Sequence, residues 1–238
     1  MKKIYSYVIV LISIIFLFSC ENSTKSKKEF DTIIDIDGNE YEVIKIGEQY
    51  WMAENLRVTR YKNGVEIPKV TNNNIWYNLS SGAYSIYEND SSYANIYGYL
   101  YNWYAVNNEN NIAPEGWHVP TNEDWEELAN YISDSNGGYS MYNQYSWNNI
   151  GKHLKSNFGW KYGSVGTDDY GFTSLPAGYL EEQGYYGALG FVTYFWSSDE
   201  STTDNSWFRS VNFHDDIFEC YWRDKNWGFS VRCIKDKE

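Results

Sequence analysis

The chain has 238 residues and a formal charge of −13, with 32 acidic against 19 basic side chains. Such an acidic chain repels phosphate backbones, which argues against nucleic acid as a partner. Aromatic residues make up 19% of it, with 24 Tyr, 11 Trp and 11 Phe, too much apolar material for a disordered polymer. Tyr and Trp join an apolar body to a polar tip and tolerate half-exposed positions, so the excess serves a core, a binding surface or both.

Met1-Lys2-Lys3, an uncharged apolar run from Ile4 to Phe18, and Ser19 ahead of Cys20 have the order of a secretory signal peptide. The run is short against the ~20 residues of a comfortable bilayer span, which disfavours a retained signal anchor. Leu17-Phe18-Ser19-Cys20 resembles a bacterial lipobox. That resemblance implies removal of residues 1–19, lipidation of Cys20, and a chain held in the cell envelope at the outer membrane and cell surface. Several acyl chains, at ~0.8 kcal/mol per buried methylene, anchor far more firmly than one. The alternative is an ordinary signal peptide with an incidental cysteine. Loss of Lys2 and Lys3 makes the mature chain more acidic by two charges. Residues 20–31 are polar and aperiodic and are expected to form a flexible tether. Residues 32–238 are expected to form one folded domain.

Alternating apolar positions from Ile34 to Met52, around Asp37-Gly38-Asn39 and Gly47-Glu48, predict an antiparallel hairpin and a third strand. Residues 62–96, rich in Asn, Ser and Tyr, are expected to be long surface loops. Thr121 with Asp124 three residues on predicts a capped helix start. Trp125, Leu128, Ala129 and Ile132 then supply one apolar stripe, and Gly137-Gly138 the end. A weaker helix is expected over about 149–156, with Ile150 and Leu154 four residues apart. Further strands are expected at 172–175, 191–197, 207–213, 218–222 and 229–234. Two helices among short antiparallel strands and long loops define an α+β chain.

Beyond Cys20 the only cysteines are Cys220 and Cys233. In an exported chain they predict one disulfide closing a short C-terminal loop, with two free, buried thiols as the alternative. Their spacing, without further ligands, is a poor zinc signature.

Five blocks together resemble one known family. They are Gly47-Glu48-Gln49-Tyr50-Trp51-Met52-Ala53-Glu54-Asn55-Leu56, Gly98-Tyr99-Leu100-Tyr101-Asn102-Trp103-Tyr104-Ala105-Val106, and Pro114-Glu115-Gly116-Trp117-His118-Val119-Pro120-Thr121 with Asp124-Trp125. Phe195-Trp196-Ser197-Ser198 and Gly228-Phe229-Ser230-Val231-Arg232-Cys233 complete the set. In this order they resemble the Fibrobacter succinogenes major paralogous domain. The resemblance implies a C-type-lectin-like fold, distantly akin to the formylglycine-generating enzymes, and surface or exported proteins. It implies no established activity.

No catalytic residue is assigned. The cysteines lack the close spacing of the formylglycine-generating enzymes. His118 sits in a family block as a hydrogen-bonded turn residue, His153 and His214 adjoin no nucleophile motif, and no Gly-x-Ser-x-Gly occurs. The pairs Asp168-Asp169, Glu181-Glu182, Asp199-Glu200 and Asp215-Asp216 leave a polysaccharide-acting enzyme as an alternative. Asp199, Asp204, Asp215 and Asp216 are hard oxygen donors suited to calcium, though the Glu-Pro-Asn and Trp-Asn-Asp motifs of sugar-binding C-type lectins are absent. Along the strand at 207–213, Trp207, Arg209, Val211 and Phe213 share one face, and Phe208, Ser210, Asn212 and His214 the other. With Tyr221, Trp222 and Arg223 they supply the expected ligand-binding set: Trp207, Arg209, Asn212, His214, Tyr221, Trp222 and Arg223, recognising a glycan or a surface protein. The remaining alternative is a structural component of the cell surface.

Overall fold

The structure is a computed structural model that describes residues 31–137, 141–143 and 145–237. The expected signal peptide, the expected lipidation residue Cys20, the expected tether up to residue 30 and Gly138 lie outside the described residues. Two five-stranded sheets, mostly antiparallel, and a few short helices make it α+β.

The first sheet starts as the sequence predicts. β1 (Thr32–Ile34), β2 (Glu40–Ile46) and β3 (Gln49–Met52) pair antiparallel, with Ile44 opposite Trp51 and Ile46 opposite Gln49. Along β2 the polar residues Glu40, Glu42 and Lys45 face solvent while Tyr41, Ile44 and Ile46 are buried, the alternation of a half-buried strand. Gly47 turns the hairpin at φ +63°, and a side chain there would strike the Tyr131 ring. The C-terminal strand β14 (Ile234–Lys235) inserts between β3 and β6 (Trp117–His118), placing Ile234 beside both Trp51 and His118. The two ends of the domain are thereby fastened in one sheet.

The principal helix, Asn122–Ser135, carries the expected capping box: the Thr121 hydroxyl accepts from the Asp124 N–H while the Asp124 carboxylate accepts from the Thr121 N–H. Trp125, Leu128, Ala129 and Ile132 are all fully buried, the larger ones contributing roughly 1.5–3 kcal/mol each. The weaker helix expected near 149–156 is one turn, Gly151–Leu154, with Ile150 and Leu154 buried.

The second sheet has the order β11 (Val192–Glu200), β12 (Asn205–Asn212), β13 (Phe218–Asp224), β8 (Ser146–Trp147) and β7 (Met141–Asn143). Apolar clusters cover both of its faces. Phe195, Val211 and Phe218 join the cluster around the Asn122–Ser135 helix, whereas Trp196 and Phe208 join a second cluster with Tyr41, Met52, Trp103 and Phe229. Two ribbons complete the fold, β4 (Tyr84–Ser85) with β5 (Leu100–Tyr101) and β9 (Tyr179–Leu180) with β10 (Tyr186–Gly187).

Three expectations are corrected. Residues 172–175 form no strand: Phe172 is fully buried, but the carbonyls of Phe172 and Thr173 accept from the Arg232 guanidinium. Residues 62–96 are not merely surface loops, because Trp76, Ala83 and Tyr87 pack with Leu100 and Leu180 in a third cluster. Cys220 and Cys233 are free and buried. Cys220 lies opposite Arg209 in β13, while Cys233 precedes β14 in the other sheet and packs in the cluster of Tyr41, Met52 and Phe229, so no bridge joins them. Burial pushes both thiols up, Cys220 to about 11.

His118 links the helix start to the C-terminus, with Nδ1 2.7 Å from Asp236 and Nε2 3.2 Å from Asp124. The Asp124 hydrogen bond raises the imidazole above 6.5 against the opposing effect of burial. Burial also works against the Asp124 carboxylate, but bonds from His118 and Thr121 outweigh it and hold the group at about 2. The Asp124 contribution is complete above its ordinary 3.8 and lost as pH falls toward about 2. The His118 contribution is complete below 6.5 and lost as pH rises through the raised value. The melting-temperature advantage of the parent chain over His118→Gln should therefore peak between about pH 4 and 6.5 and shrink on either side. A difference independent of pH would contradict the assignment.

Candidate ligand-binding surface

The strand register distributes the seven expected ligand residues over separate places. Trp207 pairs directly with Trp222, and Tyr145 lies 5.5 Å from Trp207 on that face. Tyr221 and Arg223 pair with Phe208 and Ser206 on the opposite face. His214 lies beyond the other end of β12, 2.9 Å from the Asp215 carboxylate. Arg209 is fully buried: its guanidinium packs against the Trp147 ring at 5.8 Å and donates to the carbonyls of Tyr145 and Asn122. Asn212 is also buried, donating to Glu219 at 2.7 Å and Ser210 at 3.0 Å. Arg209 and Asn212 are thus core residues, because clusters cover both faces of the sheet they occupy.

A different surface comes together on the Phe208 side. Neighbouring rings run from Trp227 to Tyr179 (5.4 Å), Tyr194 (5.3 Å), Phe208 (4.8 Å) and Tyr221 (6.5 Å). Tyr179 and Tyr194 are within 3° of parallel. The Arg223 guanidinium stands over Phe208 at 5.8 Å and Trp227 at 5.5 Å. Phe208 is the buried floor; Tyr179, Tyr194 and Trp227 are half-buried, and Tyr221 and Arg223 exposed. The backbone explains the assembly. A parallel bridge from Gly178 to Thr193 sets Tyr179 beside Tyr194, and the Leu180–Gly228 bridge brings up Trp227. Gly187, paired with Tyr179, leaves room for its ring; a Cβ there would sit 2.7 Å from it.

Carboxyl groups rim this surface. Glu219 accepts from Ser210 and Asn212. Glu182 hydrogen-bonds Asp224, which raises its pKa to about 6, with burial adding to the effect. Burial pushes the Tyr194 hydroxyl up to about 12, so it is a proton donor at neutral pH.

The four expected calcium ligands do not converge. Asp199 accepts the Asn122 N–H at 2.6 Å at the start of the principal helix, where negative charge suits the helix dipole. Asp204 is exposed in the turn between β11 and β12. Asp215 and Asp216 surround an ammonium: buried Lys155 Nζ lies 2.7 Å from the Asp216 carboxylate and donates to the carbonyls of Asp215 at 2.9 Å and Asn212 at 3.4 Å. Lys225 does the same beside Asp204, meeting the Glu200 carboxylate and the Thr203 carbonyl over the Trp103 ring. Among the described residues no group of three or more His, Cys, Asp or Glu side chains could hold a metal ion. Of the other acidic pairs, Asp168 accepts from Thr173, and Asp169 pairs with His153.

Residues 44–235 match the Fibrobacter succinogenes major domain family, and the chain belongs to it. No curated protein and no solved structure matches the chain. The family blocks lie chiefly in the frame: Trp103 donates to the Ser197 carbonyl at 2.9 Å, Trp196 to the Tyr101 carbonyl at 2.8 Å, and Asn55 to Ser230 at 3.1 Å. The exposed and half-buried members of the aromatic surface all lie outside the quoted blocks.

Lys155→Met should cost about 1–3 kcal/mol by orphaning the Asp215 carbonyl and the Asp216 carboxylate. The parent chain should melt at the same temperature in calcium and in chelator. A rise in melting temperature with calcium would show that the acidic loops take the ion.

Proposed function

We propose that this chain is a lipid-anchored cell-surface protein with a C-type-lectin-like domain that binds a neutral glycan without transforming it. The observation that carries this reading is the continuous aromatic surface from Trp227 to Tyr221. Such rings offer flat apolar faces to the C–H faces of sugars, while their polar tips and the flanking carboxylates and guanidinium can bond hydroxyls. The acidic rim of Glu182, Glu219 and Asp224 disfavours an anionic polymer here. The lectin-like description is supported by the C-terminal strand β14 lying beside β3 in the first sheet. The lipid anchor is supported by the lipobox-like Leu17-Phe18-Ser19-Cys20.

Binding is favoured over hydrolysis by the state of the carboxyl pair on this surface. Asp224 stands close enough to Glu182 to raise its pKa to about 6, whereas glycosidase pairs stand roughly 5 Å or more apart to admit the reacting bond. Titration of the full chain in detergent with soluble xyloglucan, mixed-linkage glucan and mannan should find one binder. Trp227→Ala and Tyr179→Ala should each weaken it about tenfold, or about 1.4 kcal/mol. Unchanged affinity in both variants would remove the surface from consideration, and release of reducing ends would make the protein an enzyme.

A further inference from the structure

A cleft elsewhere on the chain carries the opposite charge balance. Between β4 and the loop that follows β3 lies an open cleft of about 640 Å³. One of its walls is the stacked pair Tyr84 and Tyr99, with ring centroids 4.7 Å apart and planes 19° from parallel. Neither hydroxyl has a hydrogen-bond partner among the described residues, and burial, aided by nearby negative charge, raises both above their ordinary value. They are therefore donors facing the cleft.

The cations in this cleft are unequal. Arg60 is committed, pairing through Nε with the Asp37 carboxylate, which the Thr59 N–H and hydroxyl also engage. Asp37 is thus held ionised and neutralised within the fold. Arg57 is set differently. Its guanidinium lies 4.5 Å from the Tyr41 ring and gives one N–H to the Glu40 carbonyl, but makes no ion pair among the described residues. Lys69 is exposed and likewise makes no ion pair there. Against these two uncommitted cations the cleft sets one exposed carboxylate, Glu66. In a chain with a formal charge of −13, surplus positive charge beside an aromatic wall is a local reversal that folding does not require of Lys69.

We propose that this cleft binds a carboxylate-bearing sugar, with Arg57 and Lys69 meeting the carboxylate and the Tyr84–Tyr99 pair supplying an apolar wall and two hydroxyl donors to the ring. Arginine suits a planar carboxylate through its paired N–H groups, and a guanidinium already fixed on Tyr41 loses little freedom on binding. The tyrosine wall distinguishes a sugar acid from a bare anion, which would use the cations alone.

The probe is trigalacturonate, titrated into the full chain in detergent at low salt, beside its fully methyl-esterified form. The acid should bind and the ester should bind at least about tenfold more weakly, because esterification removes the charge and leaves the rings. Raising the salt should weaken the acid alone. Arg57→Gln and Lys69→Gln should each lower affinity for the acid about tenfold. Lys69→Gln breaks no internal ion pair among the described residues, so its result stands even where Arg57→Gln perturbs folding. Tyr99→Ala should weaken the acid sugar yet leave any binding of free acetate unchanged. Lys45→Gln, an exposed lysine outside the cleft, should behave as the parent. No binding of the acid, equal binding of acid and ester, or equal loss in Lys45→Gln would overturn the proposal. Preference for an acetylated tripeptide with a free C-terminal carboxylate would overturn the sugar assignment.

Discussion

The structure turns on one buried guanidinium. Arg232 is about 1% exposed, and its charge is enclosed without an ion pair among the described residues. Burial lowers its pKa to about 9. The compensation comes from oxygens and π faces: it donates to the Phe172 carbonyl and to the Asn55 side chain at 2.8 Å, and lies 4.3 Å from the Phe172 ring and 5.2 Å from Phe195. An unpaired buried charge is among the costliest groups a fold can hold, so its partners must stay in place. Asn55 follows the first sheet, Phe195 belongs to the second, and Phe172 lies in the irregular segment between them. One side chain ties together three regions distant in sequence, and Asn55 extends the connection to Ser230 and the Tyr97 carbonyl.

This constraint clarifies what the chain reveals about itself. The Ile34–Met52 hairpin and the Asn122–Ser135 helix are legible because each is specified locally, by alternation in one case and by a cap and an apolar stripe in the other. The segment at 172–175 looks like a strand because it is apolar, yet its carbonyls serve Arg232, a partner about 60 residues away. The predicted disulfide failed for a related reason. Sequence separation says nothing of where in the fold a cysteine settles, and Cys220 lies in β13 while Cys233 comes just before β14 of the other sheet. Residues 62–96 concealed their buried Trp76 and Tyr87 because helices of one turn and a two-residue strand leave no period to detect.

The candidate ligand surface was legible only in part. Alternation correctly separated Trp207 from Phe208, but it could not show that both faces of that sheet are covered, which removes Arg209 and Asn212 from solvent. Trp207 and Trp222 share one face, His214 stands apart beyond β12, and Tyr221 and Arg223 remain on the Phe208 face. Their neighbours Tyr179, Tyr194 and Trp227 come from other segments and meet through register alone; the one local trace is Gly187, small enough to leave room for the Tyr179 ring. Lysine chemistry was missed as well. Acidic loops that look ready for calcium from composition close on Lys155 and Lys225, whose ammonium groups gather carboxylate and carbonyl oxygens instead. The picture that results is a frame built from the family blocks and two surfaces of contrasting charge around it, one aromatic with an acidic rim, the other basic beside a tyrosine pair.

If that frame depends on Arg232, its energetic link to Asn55 is the most direct thing to measure. A double-mutant cycle of Asn55→Ala and Arg232→Met, followed by denaturant unfolding with tryptophan fluorescence, isolates the link. The account predicts that each single change costs about 2–4 kcal/mol by orphaning buried partners. The double variant should cost less than their sum by at least about 1 kcal/mol. Additive losses, or an Arg232→Met chain as stable as the parent, would contradict it.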